Sequence, residues 1–252
     1  MTGRPEILWP LFAALKGLDG IGPKTEQAFE QISVLAPRDL LFTLPYSGID
    51  RKLRGSVLDA ELPDTVTVEV EVGHHRPSRN RGGAYRIDVT DSKTQFQLVF
   101  FHGRSDYLNK VLPTGARRIV SGKVEFFDQS PQMVHPEHIV PIEDAESVPQ
   151  FEPVYPLTSG VTQKLMVRAM NDALSRVPEL PEWIDPSQKN KEEWPDWKSA
   201  LQAVHTPENV GDLAPTAPDR ARLAYDELMA HQLTLALARA NRRFHKQIHL
   251  AS

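Results

Sequence analysis

The period of the hydrophobic positions divides this chain into a central stretch that reads as strands and two flanks that read as helices. From Val66 to Val72, valines at 66, 68, 70 and 72 alternate with Thr67, Glu69 and Glu71. A period of two lays the valines on one face of a strand and the polar residues on the other. Tyr85 to Val89 and Phe96 to Phe101 follow as further short strands, Ser105 to Leu112 as a polar helical segment, and Arg117 to Phe127 as another alternating strand. In the flanks, Ile7 to Leu15 reads as a short amphipathic helix, Thr25 to Ile32 as a second helix after a glycine turn, and Thr162 to Arg176 as a third. The strongest helix runs from Pro218 to His245, rich in alanine and leucine, with Asp219 in its first turn and arginines toward its end, the arrangement a helix dipole favours. Pro178 to Pro195, rich in proline, tryptophan and lysine, predicts irregular chain.

These elements predict an α+β protein in three parts. An N-terminal helical hairpin segment occupies residues 1–52, a five-stranded barrel 53–145, and a helical linker ending in a long helix 146–252. Five short strands with one helical insertion describe an oligonucleotide-binding (OB) barrel, which holds single strands across one face and its loops. Such a site needs cations for phosphate and aromatic faces for bases. The cations concentrate in the turn from His74 to Gly83, which carries no acid; Arg76, Arg79 and Arg81 there, with Arg86 and Arg104 nearby, are the candidate phosphate contacts. Phe100, Phe101, Tyr107, Phe126 and Phe127 supply the aromatic candidates. Because strand side chains alternate, only one of Phe100 and Phe101 can enter the barrel. The competing reading buries both, one under the barrel and one under the helix.

Charge changes this picture only locally. The chain of 252 residues has a net charge of −4, yet Arg51 to Pro141 holds 13 Lys and Arg against 11 Asp and Glu. Cysteine is absent, which excludes disulfides and cysteine-ligated zinc and fits a reducing cytosol. Ile7 to Leu15 is too short to span a bilayer. His74 with His75, and His135 with His138, lack a third ligand at useful spacing, so no metal is expected. Asp88 and Asp91 stand close enough in sequence to hold magnesium in a nuclease; the competing reading gives them to the turn before Thr94. No nucleophile, base or other catalytic residue emerges. Read from Gly17, the segment to Thr25 approaches a nucleotide-binding loop, but Pro23 displaces Lys24 by one position and no buried strand precedes it. A turn at Gly20-Ile21-Gly22 fits better. It could offer backbone N–H groups to a phosphate, with Gly20, Gly22 and Lys24 as the contacts. Alternatively it is a tight turn whose Ile21 staples two helices.

One resemblance covers almost the whole chain. Leu15-Lys16-Gly17 through Gly22-Pro23-Lys24, Asp39-Leu40-Leu41-Phe42 with Leu44-Pro45 and Asp50-Arg51, and Leu98-Val99-Phe100-Phe101 all match. So do Gly122-Lys123-Val124, the run from Gln132 to Glu137, Pro153-Val154-Tyr155-Pro156, Gly160-Val161 and the run from Asp226 to Leu233. In order and spacing these resemble the N-terminal part of the RecG family of bacterial ATP-dependent helicases, which remodel stalled forks and Holliday junctions in DNA repair and recombination. The resemblance implies a wedge domain that binds branched or single-stranded DNA, with Phe101 and Tyr107 stacking on bases beside the branch point. It implies a bacterial cytoplasmic, nucleoid-associated monomer with no membrane association. It also implies helicase motor lobes, in cis or in trans, that use ATP and magnesium; the chain ends at Ser252 without their motifs, so it is expected to need no cofactor itself and to hydrolyse no ATP. The rival expectations are a general single-strand-binding module, a divalent-metal nuclease and a platform that docks a motor through its last helix.

Overall fold

The computed structural model describes residues 4–78 and 83–251, the last nine of these by backbone alone. The chain forms two compact units, residues 49–152 and residues 1–48 with 153–252. The sequence reading separates the two flanks; in the structure they share one hydrophobic core, in which Leu11, Leu15, Phe29 and Leu40 lie with Met166, Met170, Leu201 and Leu223.

The unit of residues 49–152 is a barrel of five strands: β1 Asp64–Arg76, β2 Ala84–Thr90, β3 Gln95–Phe101, β4 Arg117–Phe127 and β5 Ser130–Val134. Antiparallel pairs β1–β2, β2–β3, β5–β4 and β4–β1 and the parallel pair β3–β5 close the circle, which is OB topology. Leu53–Arg54 extends the sheet beside β1 and His138–Pro141 beside β4. The alternation written in β1 is obeyed: Val66, Val68, Val70 and Val72 are all buried, with Ile87, Phe96, Leu98, Val124 and Met133 facing them. Each such side chain removed from water contributes about 1.5–3 kcal/mol. Helix α3, Ser105–Val111, falls between β3 and β4, and Leu108 with the adjacent Leu112 enters the same core. Thr67 is also buried, against its polar expectation, because its hydroxyl donates to Ser121 Oγ at 2.7 Å. At Gly73 the β1–β2 register slips, and a Cβ there would stand 2.9 Å from the Asp88 carbonyl oxygen. A side chain would push the strands apart at this bulge.

The second unit is helical. Ile7 to Leu15, expected as one amphipathic helix, instead forms two 3-10 segments, Glu6–Phe12 and Leu15–Gly17, with extended residues Ala13 and Ala14 between them. Pro10 within the first has no N–H to continue an α-helical ladder. Helices α1 Pro23–Glu30 and α2 Pro37–Leu41 both begin on proline, the residue that suits a first helical turn. Helix α4, Gln163–Ser175, is capped by Thr162, whose hydroxyl accepts from Leu165 N–H. The irregular stretch holds one short helix, α5 Pro186–Lys191, before α6 Trp197–His205 and the long α7 Pro218–Ala251. Arg222 on α7, almost wholly buried, binds both oxygens of Glu182 at 2.8 and 3.0 Å, Asp226 at 3.0 Å and the Pro195 carbonyl at 3.1 Å. The Arg222 guanidinium holds the Glu182 carboxyl down at about 2. His205 is buried with Nε2 on the Leu41 carbonyl at 2.9 Å and Nδ1 on the Tyr155 hydroxyl at 3.0 Å. No helix among the described residues is long and apolar enough to cross a membrane.

Candidate nucleic-acid interface

The pairing of β2 with β3 defines an outward face. Tyr85 opposite Phe100 and Ile87 opposite Leu98 point into the barrel; Ala84 opposite Phe101, Arg86 opposite Val99 and Asp88 opposite Gln97 point out. The ambiguity at the Phe-Phe pair is thereby resolved. Phe100 is buried and Phe101 is 49% exposed. Phe101 is held in place by His135, whose Nε2 accepts its backbone N–H at 3.2 Å and whose ring lies 5.7 Å from the phenyl centroid. Tyr107 sits in the first turn of α3 with its ring 61% exposed, and Arg104, exposed, occupies the N-cap position of that helix.

The predicted cations divide. Arg76, at the end of β1, is exposed but pairs at 2.6 Å with Asp88, itself buried. Arg86 is half-buried on the outward face and meets no carboxylate among the described residues. Arg79 and Arg81 lie outside the described residues. In the helical unit Gly20 takes φ +78°, a conformation glycine adopts without strain, and the Arg168 guanidinium lies against the site where a Cβ would stand. Gly22 precedes α1 and Lys24 is exposed in its first turn. Ile21 is buried in the core, so the stapling role is present whatever the turn binds.

Asp91 organises a turn. It accepts from Lys93 N–H and Thr94 N–H, both at 2.8 Å, and from Ser56 Oγ and Val57 N–H. Asp88 is divided between Arg76 and Gln97, whose Nε2 donates at 3.0 Å. Both carboxylates are therefore committed to protein partners. Of the histidines considered for a metal, His75 joins Tyr85 hydroxyl to the Leu112 carbonyl, and His138 approaches Glu152 at 3.6 Å. Burial pushes the Glu152 carboxyl up, but the neighbouring His138 and the charge and hydrogen bond of Arg51 more than offset it and hold the group below its ordinary value.

Sequence reasoning named Phe126 and Phe127 without placing them. They end β4 at a two-residue hairpin whose Asp128 and Gln129 have φ of 49° and 64°. Two consecutive left-handed residues make a type I′ turn, which matches the twist of the strands it joins. Both rings are exposed, and alternation sends them to opposite sides. Reasoning from sequence also misses the Arg76–Asp88–Gln97 chain, which exists only once β1, β2 and β3 are paired in register.

The family model described as an OB-fold nucleic acid binding domain matches residues 66–142. Among curated proteins, the ATP-dependent DNA helicase RecG of Bacillus subtilis (strain 168) is 30% identical over 240 residues, covering 91% of this chain and 33% of that protein. RecG of Escherichia coli (strain K12) is 26% identical over 244 residues, covering 92% and 34%. A solved structure of RecG bound to a three-way DNA junction superposes with a TM-score of 0.72 at 25% identity, covering 97% of this chain and 33% of that one. The chain spans about a third of the length of the curated relatives it matches. It is homologous to the N-terminal OB wedge region of RecG and carries that region's nucleic-acid-binding fold.

Proposed function

We propose that this chain binds branched DNA, at forks and Holliday junctions, as the wedge region of a RecG-like helicase in DNA repair and recombination. The observation that carries the reading is the outward turn of Phe101, half exposed and braced by His135 on the same barrel face as Arg86. An exposed ring beside a cation is what a stacked base and its phosphate require. In this reading Phe101 and Tyr107 stack on bases at the branch point, and Arg76, Arg86 and Arg104, with Arg79 and Arg81, engage phosphate. The hairpin of Gly20, Gly22 and Lys24 offers a further phosphate contact. The barrel acts as a steric wedge, while motor lobes in cis or in trans use ATP and magnesium, in the bacterial cytoplasm at the nucleoid. Asp88 and Asp91 do not act as a nuclease centre, since arginine, amide and backbone donors already occupy them.

Fluorescence anisotropy on a labelled fork, a matched duplex and a matched single strand tests this. The chain should prefer the fork, and Phe101→Ala should weaken fork binding by about ten-fold, the worth of one lost base stack. Equal affinity for fork and single strand, unaffected by Phe101→Ala, would leave a general single-strand module instead.

A further inference from the structure

We propose that Asp19 is a covalent modification site, at which its carboxyl group closes on the backbone nitrogen of Gly20 to form a succinimide that reopens as an isoaspartyl linkage. Glycine leaves that nitrogen least obstructed, because it has no side chain to crowd the approach. Asp19-Gly20 is the one Asp-Gly or Asn-Gly pair in the chain. The structure leaves both reacting groups open. The Asp19 side chain is 66% exposed, and its partner among the described residues is the Arg168 guanidinium at 3.6 Å. Gly20 is exposed and its N–H meets no acceptor among the described residues. The hydrogen bonds of the turn pass on either side of it, from Ile21 N–H to the Leu18 carbonyl at 3.2 Å and from Asp19 N–H to Asp172 Oδ2 at 2.7 Å.

The step balances with water alone. The Gly20 nitrogen bonds to the side-chain carboxyl carbon of Asp19, and its proton leaves with the carboxyl hydroxyl as water. A second water then opens the ring at the main-chain carbonyl, which becomes a free carboxylate while the peptide bond runs on through the side chain. Asp91 shows the same chemistry withheld. It precedes the small Ser92, but its carboxylate is buried and accepts from Ser56, Val57, Lys93 and Thr94. The product has a structural consequence at Asp19. Leu18 and Ile21, on either side of the pair, both lie in the core of the helical unit. An extra methylene in the main chain between them lengthens a turn fixed at both ends, so one of the two side chains must leave that core.

Modification of Asp19 requires no DNA, so the branched-DNA reading stands or falls separately. The full chain is aged at neutral pH and body temperature in water enriched in heavy oxygen, then digested with trypsin in ordinary water and read by mass spectrometry. Trypsin frees Gly17 to Lys24, in which Asp19 is the one aspartate, and Ile87 to Lys93, which holds Asp91. The first peptide should gain one heavy oxygen and resist cleavage by an aspartate-specific protease. Asp91 reacts only when its turn opens locally, so the Asp19 peptide should label at least about ten-fold faster. Asp19→Glu, whose longer side chain closes a larger and slower ring, should lose the label. The aged fraction should also unfold at lower urea by tryptophan fluorescence, as a hairpin with one core residue expelled requires. Absence of label from the Asp19 peptide of the native chain, equal labelling of the two peptides, or label retained in Asp19→Glu would each overturn the site.

Discussion

Among the described residues each unit of this chain buries one arginine between two carboxylates, and the two arginines have different tasks. In the barrel unit Arg51, 3% exposed, reaches Glu152 at 2.5 Å, Ser121 Oγ at 2.8 Å and Glu137. It ties together the segments where the chain enters and leaves a barrel that backbone ladders already close. Arg222 in the helical unit, 1% exposed, has no ladder beside it. Its bonds to Glu182 and the Pro195 carbonyl fasten the irregular stretch 178–196 to α7, together with Trp183 Nε1 donating to Asp226 and the Trp183 and Trp194 rings packed on Tyr225. A buried charge cluster is therefore supplementary where hydrogen-bonded strands define the fold and central where they do not.

The sharpest way to break this comparison is to remove each arginine. Arg222→Ala takes the guanidinium from two carboxylates, leaving Glu182 with Lys189 at 3.1 Å and Asp226 with the Trp183 indole N–H, and should cost about 3 kcal/mol, the lower end of the usual penalty for breaking a buried pair. All four tryptophans, Trp9, Trp183, Trp194 and Trp197, lie in the helical unit, so urea unfolding followed by tryptophan fluorescence reads the loss directly. Arg51→Ala should cost less, about 2 kcal/mol, since Glu137 is half exposed and can regain water. An equal or larger loss at Arg51 would reverse the argument.

A smaller effect separates the units by pH. The Leu41 carbonyl can only accept, so His205 donates from Nε2 and accepts the Tyr155 hydroxyl at Nδ1 as a neutral ring. Burial pulls its pKa down to about 4, from an ordinary 6.5. Between those values the unfolded chain takes up a proton that the native state refuses, so stability falls as pH drops from 6.5 toward 4. About 2 kcal/mol should disappear by pH 5, before most carboxylates titrate. His205→Gln should flatten that slope in the tryptophan signal. The smallest effect belongs to the N-cap of α3. Arg104→Ala should lower DNA affinity several-fold and reduce the slope of log affinity against log salt by about one, as for a single lost phosphate contact.

The two units also differ in how much of them could be read from the chain. The barrel was legible because its signals are local: alternate valines in β1, the paired runs of β2 and β3 and the helix after Phe101 each declare themselves within a few residues. The parity rule that identified one outward phenylalanine in principle could not say which, because that depends on the register of β3 against β2. The helical unit was less legible. Its core joins Leu11 and Phe29 to Met170 and Leu223 across intervals no periodicity can span. The first arm was read as one helix because its apolar spacing outweighed Pro10. Of the candidate interface, the ring of Phe101 followed from pattern and resemblance together. The neutralisation of Arg76 by Asp88 did not, because charges on neighbouring strands meet only after the strands are paired.

The parallel closure of the barrel has a mechanical consequence. Strands β3 and β5 run in the same direction, in register from Gln97 with Gln132 to Val99 with Val134, and the tether from His135 to Phe101 lies just beyond their last pair. A push on the Phe101 ring along the strand axis therefore stresses that row of hydrogen bonds in shear, all at once, instead of peeling them one after another. Materials joined in shear yield at much higher force than the same joints unzipped. A ring mounted this way behaves as a stiff edge, and under the function proposed above a duplex pressed against it would have to part before the mount did.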